Sequence, residues 1–346
     1  MTGHAHVRAA LRDTQTYSSD LLGDWDVRDY RQLPLEVDPP RHHMYRSALT
    51  PMFVRPRIES LRPQLEQHIR STVDEFESAG GGDFVRDVAL KSVVRCLAVI
   101  FGRPNDVEEW ASWGADVWTA AGPTRSGDTL HTYLERVYTE PLHNDSQDYW
   151  AFLKRLRFDD RPITRDEFFG IAGVSLAGGR DTIVKLESGM AWDLLNNPDH
   201  RLQLAHGSAK YSAAIQEYLR YFTPLESLHR ITPDQQAIDP SERDPKMYAA
   251  VDFASANYDD EVFEHPDQID FTRSKIAHLA FGFGPHSCIG NHVAEIEADI
   301  MLHELVERIS RWSLTEPADI EWHAIDGYNY PRHVKTVTIT TGKLPR

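Results

Sequence analysis

The residues best placed to do chemistry lie in one run, Phe281-Gly-Phe-Gly-Pro-His-Ser-Cys288-Ile-Gly290. It sets a cysteine in a glycine-rich loop directly ahead of a strongly helical stretch. Gly284 and Gly290 let the backbone turn tightly and approach a flat partner closely. Loop N–H groups and the helix start behind them offer positive partial charge, which favours a thiolate over a thiol. A thiolate held this way can bind haem iron from one side and push electron density across it.

A second run, Ala177-Gly178-Gly179-Arg180-Asp181-Thr182, lies inside a long helical pattern. Two glycines there cost ~1 kcal/mol each relative to alanine, so something should offset them. A flat ligand pressed against the helix, or a local bulge, would do so. A mere helix crossing would too. The acid and alcohol that follow could move a proton. Arg180 is expensive beside them unless paired, and a carboxylate of the protein or of a substrate would pair it.

These runs need elements to position them, and helical periodicity dominates the chain. Short or amphipathic helices are predicted over 5–13, 57–77 and 84–102, and broken helix over 104–145. Asp38-Pro39-Pro40 reads as a helix start with Asp as N-cap. Thr164-x-x-Glu167 is a capping box. From it the pattern stays helical to Asn196-Asn197-Pro198, about 30 residues or roughly 45 Å, enough to cross a whole domain. Helices follow over 208–222 and 291–310, strand and turn over 230–275, and a strand over 335–341. On the predicted helices His42 and Arg46 share a face, as do Glu217 and Arg220.

Composition narrows the class. The 346 residues carry 41% apolar and 10% aromatic side chains, enough for a large core, and a net charge of −16. That charge argues against nonspecific nucleic-acid binding. Two cysteines, Cys96 and Cys288, cannot build a disulfide framework and fit a reducing cytoplasm. Cys96 sits in an apolar helical stretch and reads as core. No uninterrupted apolar run is long enough to span a bilayer, so no membrane partner is expected. His4-Ala-His6 is a weak chelate pattern in what reads as a mobile end.

The pattern Phe-x-x-Gly-x-x-x-Cys-x-Gly resembles the haem-binding signature of the cytochrome P450 family. The elements His42-x-x-x-Arg46, Gly-Gly-x-Asp181-Thr182, Glu217-x-x-Arg220, Arg230 after Pro224, Phe271-x-Arg273 and the cysteine loop occur in the family's order. The resemblance covers essentially the whole chain and is nearest to soluble bacterial members. It implies a mainly α fold with a small β portion, a single domain over 1–346, and the long helix over one face of haem b (iron protoporphyrin IX). Cys288 would be the iron ligand. Phe281, Gly284, His286 and Gly290 would cradle the haem with Gly178. His42, Arg46, Arg230 and His286 would meet its propionates. Thr182 would hydrogen-bond dioxygen, and Asp181 would feed protons. Glu217, Arg220 and Arg273 would form a structural cluster on the cysteine side.

The implied activity is a monooxygenase that inserts one atom of O2 into a small-molecule organic substrate. Lacking flavin and iron–sulfur motifs, it would draw electrons from a ferredoxin and ferredoxin reductase. They would dock on the Cys288 side near Arg41 and Arg46. A peroxide-driven enzyme of the same fold, or a haem-binding protein without oxygenase activity, are the alternatives. Pocket walls are expected from 20–36, 115–145, Ser175 to Gly178, Leu225 to His229 and 326–333, with Trp118, Tyr328, Glu226 and His229 among them. The family's first helix and strands have no counterpart ahead of residue 1. Lys246 to Val251 lacks its usual Pro-x-Gly turn.

Overall fold

The computed structural model describes residues 1–21, 30–114, 128–238, 242 and 248–342. Thirteen α-helices are placed among them. The first seven are α1 (His4–Ala10), α2 (Arg41–Leu49), α3 (Arg55–Ser78), α4 (Lys91–Phe101), α5 (Val107–Ser112), α6 (Asp128–Thr139) and α7 (Tyr149–Arg155). The rest are α8 (Arg165–Asn196), α9 (Pro198–Ala205), α10 (Tyr211–Phe222), α11 (Pro233–Gln236), α12 (Phe253–Asn257) and α13 (Asn291–Arg308). A π-helical turn, Val85–Leu90, leads into α4. Strands are short: β1 (Gly81–Asp83), β2 (Arg157–Phe158), β3 (Arg161–Pro162), β4 (Ser227–Arg230), β5 (Ala249–Asp252), β6 (Trp312–Leu314), β7 (Asp319–Ile325), β8 (Tyr328–Thr336) and β9 (Thr338–Thr341). They pair as β1-β9-β6 and as the antiparallel hairpins β2-β3, β4-β5 and β7-β8.

Helix α8 organises the rest. Its 32 residues run ~48 Å at ~1.5 Å each. The expected capping box is formed: Thr164 accepts from the Glu167 N–H, and Glu167 reaches back to the Thr164 N–H. Helices α4, α6, α10 and α13 pack against it. At the α10 crossing there is no room for a side chain, since a Cβ on Gly189 would lie 2.6 Å from the Phe222 ring. The core is continuous, from Leu65, Ile69 and Val73 of α3, through Val93 and Leu97 of α4, to Ala298 and Leu302 of α13.

Several sequence expectations change. Asp38 does not cap α2, which starts at Arg41 with no side-chain cap. Its carboxylate is taken by the Ser18 hydroxyl and the Ser19 N–H, tying the stretch after α1 to the start of α2. The 335–341 strand is two, split at Val337, because β8 pairs with β7 and β9 with β1 and β6. The first residues are packed rather than loose: His4 is buried and its Nε2 lies 2.7 Å from the Ala277 carbonyl. Helix α8 is unbroken through Gly178-Gly179, with no bulge. Trp118, most of 115–145's first half, and Lys246 lie outside the described residues.

Candidate haem site

One cavity of about 260 Å³ collects the chemistry-bearing residues. Its walls come from α2 (His42, Arg46), α4 (Leu97, Ile100, Phe101), α8 (Val174, Ser175, Gly178, Thr182, Ile183), the segment after α10 (Pro224, Leu225, Leu228, Arg230) and the loop Ala280–Gly290. Most of the lining is aliphatic or aromatic. The polar groups are few and gathered, as expected where a cofactor is oriented by a handful of contacts.

The cysteine loop is closed by its own backbone. The Cys288 N–H donates to the Phe281 carbonyl at 2.8 Å, and Gly282 N–H to Leu279 O at 2.8 Å. Gly282 and Gly284 take positive φ, +65° and +74°. A Cβ on Gly284 would also lie 2.7 Å from the Leu11 carbonyl, so α1's end sits directly on the loop. Gly284 thus serves the turn and does not reach the cavity, unlike Phe281, His286, Cys288 and Gly290. Gly290 has an ordinary φ of −89°. Its place is beside the sulfur, where a Cβ would come within 3.9 Å of Cys288 Sγ.

Cys288 lines the cavity, and its accessible surface faces that space. Burial pushes its thiol up, while the Gly290 N–H and Arg46 pull it down. The Gly290 N–H at the helix start and Arg46 thus act in the direction the sequence predicts, against the larger effect of burial. A bound metal cation would supply the missing stabilisation.

Across the cavity the two α8 glycines divide their work. A Cβ on Gly178 would meet nothing within 4 Å, whereas one on Gly179 would lie 2.8 Å from Leu97 of α4. Gly178 leaves room and Gly179 allows close packing. Thr182 also faces the cavity, its hydroxyl donating to the Gly178 carbonyl at 2.9 Å. Asp181 is not on the cavity wall and is half exposed, 3.5 Å from the Arg180 guanidinium. Arg180 is buried and also donates to the Trp113 carbonyl after α5. Its partners thus come from the protein, and it does not line the cavity.

His42, Arg46, Arg230 and His286 meet at one end. The rings of His42 and His286 stand 4.2 Å apart. Neither nitrogen of His42, nor Nε2 of His286, has a hydrogen-bond partner although all are buried. Burial, with Arg46 and His43, depresses His42 to about 4. Burial, with Arg230 and His42, depresses His286 to about 3. Burial lowers Arg230 to about 10, opposed by Asp38. Cationic groups gathered in a dry place with unused donors are what a buried dianion needs. The residues therefore fit haem: a cysteine sulfur on one side, an open glycine on the other, and donors for two carboxylates at the rim. His43 is exposed and points elsewhere, as its position next to His42 requires.

The Glu217–Arg220–Arg273 cluster is assembled in full. Arg220 holds Glu217 through two bonds, at 2.9 and 2.7 Å, and Arg273 adds a third at 3.0 Å. The two guanidinium groups also tie down carbonyls of Asn257, Glu264, His265, Pro266 and Gln268, stiffening the chain that leads into the loop.

Other expectations fall away from the cavity. Tyr328 bonds Asp260 at the hairpin tip, and Glu226 pairs with Arg332. Neither they nor His229 line it. Arg46 turns inward to the Ser287 carbonyl at 2.6 Å, so it is not part of a surface patch with the exposed Arg41. Sequence reasoning missed the apolar wall of Phe53, Leu97, Ile100 and Phe101. Its signal, helical periodicity, only marks such residues as core.

Comparison with known proteins agrees with this geometry. Residues 211–321 match the family model described as Cytochrome P450. The chain is 29% identical over 303 residues to the cytochrome P450 monooxygenase PikC of Streptomyces venezuelae, covering 84% of this chain and 72% of that protein. It is 28% identical to the 6-deoxyerythronolide B hydroxylase of Saccharopolyspora erythraea, covering 92% and 84%. Among solved structures, a carbohydrate active P450 superposes with a TM-score of 0.87 at 27% identity, over 99% of this chain and 92% of that one. A mutant of P450 EryK in complex with erythromycin B gives 0.82 at 25%, over 100% and 91%. Among the described residues no helix is long and apolar enough to cross a membrane. Cavity, motifs and relatives agree: the chain belongs to the cytochrome P450 family, of bacterial type, and is a monooxygenase whose family implies a haem.

Proposed function

We propose that the protein binds haem b in this cavity, with Cys288 as iron ligand, and oxidises a small organic substrate held on the Thr182 side. The observation that carries the reading is one cavity wall set that includes Cys288, Gly178, Thr182 and the His42–Arg46–Arg230–His286 group. Non-covalent haem b is favoured because the chain has two cysteines, one needed as ligand and the other, Cys96, fully buried away from the cavity. When bound, the haem supplies the activation of O2 and the oxidation itself.

The chain's own residues then do the rest. Cys288 donates its sulfur from a loop fixed by the Phe281 carbonyl. His42, Arg46, Arg230 and His286 neutralise the propionates, which restores the depressed basicity of the two histidines. Gly178 keeps the space beside it clear, while Ile183 and Leu228 give the cavity an apolar wall. The Thr182 hydroxyl, parked on the Gly178 carbonyl, can turn to hold a proton in the cavity. Asp181, half exposed, can take protons from solvent and pass them along α8 to that hydroxyl.

Electrons would come from a ferredoxin and its reductase, docked on the Cys288 side, in the cytoplasm. Residues 1–346 would act as one domain. The described cavity is largely apolar, which suits an apolar moiety of the substrate. The likeness to a carbohydrate active P450 and to a P450 in complex with erythromycin B puts carbohydrates and erythromycin B in the screen.

The test is the visible spectrum of dithionite-reduced, haem-loaded protein with carbon monoxide. A strongly red-shifted Soret band that disappears in Cys288→Ala is expected. A band at the unshifted position in the parent would overturn the assignment of Cys288.

A further inference from the structure

Behind the cysteine loop a line of side chains links the surface to the loop's base. His278 precedes the loop, and its Nδ1 accepts the Ala280 N–H at 3.2 Å. With Nδ1 an acceptor, a neutral ring carries its proton on Nε2. Nε2 lies 2.9 Å from Gln216 Oε1, so it donates there. The Gln216 amide then donates to Glu295 Oε1 at 3.2 Å, and the other Glu295 oxygen pairs with Arg55 at the surface. Burial, helped by Arg220, depresses His278 to about 4, so the ring stays neutral through neutral pH and its hydrogen bonds set the tautomer.

The loop end of this line is mechanically significant. Ala280 and Phe281 line the cavity. The Phe281 carbonyl is what the Cys288 N–H closes on, at 2.8 Å. The His278 ring also stands edge-on to Phe281, 5.8 Å between centroids. Gln216 adjoins Glu217 on α10, and Glu295 is on α13, the helix that follows Cys288.

We propose that His278 is a positioning residue for Cys288: it fastens the Ala280–Phe281 backbone, on which the loop closes, to a Gln216–Glu295–Arg55 chain anchored on three helices. The sulfur's place is thus set by α3, α10 and α13 as well as by the loop's own turns. Its value to the enzyme rests on the proposed role of Cys288, but the hydrogen-bonded line itself does not.

The experiment uses His278→Leu, Gln216→Leu, the double variant and His278→Gln, whose amide keeps one donor and one acceptor. Two quantities are read: amide hydrogen exchange at Ala280 without haem, and conversion of the reduced carbon-monoxide band to its unshifted position in mild denaturant with haem. Each Leu variant should raise both rates roughly 2- to 12-fold, the worth of one hydrogen bond. The double should be no worse than the more severe single, since both cut one line. His278→Gln should restore most of the loss. Additive effects, an unchanged Ala280 exchange rate in Gln216→Leu, or no rescue by Gln would overturn the proposal. If His278→Leu fails to fold, Gln216→Leu and His278→Gln still decide it. A parent without the shifted band but with the expected exchange pattern would remove the role of Cys288 and leave the positioning line standing.

Discussion

Glu217 and Glu297 are both fully buried, yet they are satisfied in opposite ways. Glu217 accepts from Arg220, Arg273 and the Asp270 N–H. Glu297 of α13 has no partner for either oxygen, and its neighbour Glu187 of α8 has only the Ser92 hydroxyl on one. Burial pushes Glu187 and Glu297 well above the usual carboxylate range, and Glu187 adds to the effect on Glu297. The difference shows that a buried acid survives either as an ion held by a guanidinium fork or as a neutral acid that keeps its proton. The first kind lies where the chain must be held stiff for the cysteine loop. The second lies where α8 and α13 pass each other.

The sharpest way to break this contrast is Arg220→Leu. It removes two of the three guanidinium bonds to Glu217 and releases the Asn257 and Pro266 carbonyls, leaving Arg273 on Glu217 and Gln268, at a cost of about 3–5 kcal/mol. Against a total of about 5–15 kcal/mol that should abolish a cooperative melt and haem uptake together. A urea midpoint close to the parent's would refute it.

Glu187→Gln and Glu297→Gln should do the reverse. A folded-state pKa above the unfolded value means the unfolded chain loses its proton first as pH rises past about 4.3. Parent stability then falls with pH, by at most about 1.4 kcal/mol per unit for each acid. Each amide variant should match the parent near pH 5 and exceed it by about 1–2 kcal/mol at pH 8, once solvent relaxation damps the ideal slope. A gap between urea midpoints that does not grow with pH would mean the acids are already ionised and paired.

Lys185 sharpens the comparison with the opposite sign. Its ammonium donates to the Tyr330 hydroxyl and the Thr223 carbonyl, and burial depresses it to about 7. The unfolded chain keeps that proton up to about 10.4, so the penalty is full below pH 7 and fades between 7 and 10.4. Lys185→Met should therefore gain about 1 kcal/mol at pH 6 and nothing at pH 10. Tyr330 still bonds Thr223 directly, so no carbonyl is orphaned. A gain that is equal at both pH values would point to packing rather than charge. The smallest effect belongs to the exposed pair Arg332–Glu321: Arg332→Ala should move the melt by less than about 1 kcal/mol.

Much of the site was legible because its chemistry depends on residue type at short spacing. Cys288 between Phe281 and Gly290, the Gly178 to Thr182 run and Glu217-x-x-Arg220 each act within one loop or helix turn, so local order predicts their place. Gly284 was legible as a residue but misjudged in position. A turn glycine and a ligand-facing glycine look alike until Leu11 is seen against one of them. Asp181 lies about 100° around the helix from Thr182 and off the cavity wall, while Ile183 on the other side of Thr182 is on it, a distinction that only the packing of α8 makes.

The sequence alone determined the long α8 helix with its capping box, which residue type and periodicity fix, and the family, which the order of its motifs carries. Only the tertiary structure decided which of the motif residues share a wall, that Asp38 ties Ser18 and Ser19 instead of capping a helix, and that His278 reaches Gln216. Those facts depend on contacts between segments far apart in the chain, where burial, and not local pattern, sets which polar groups find partners.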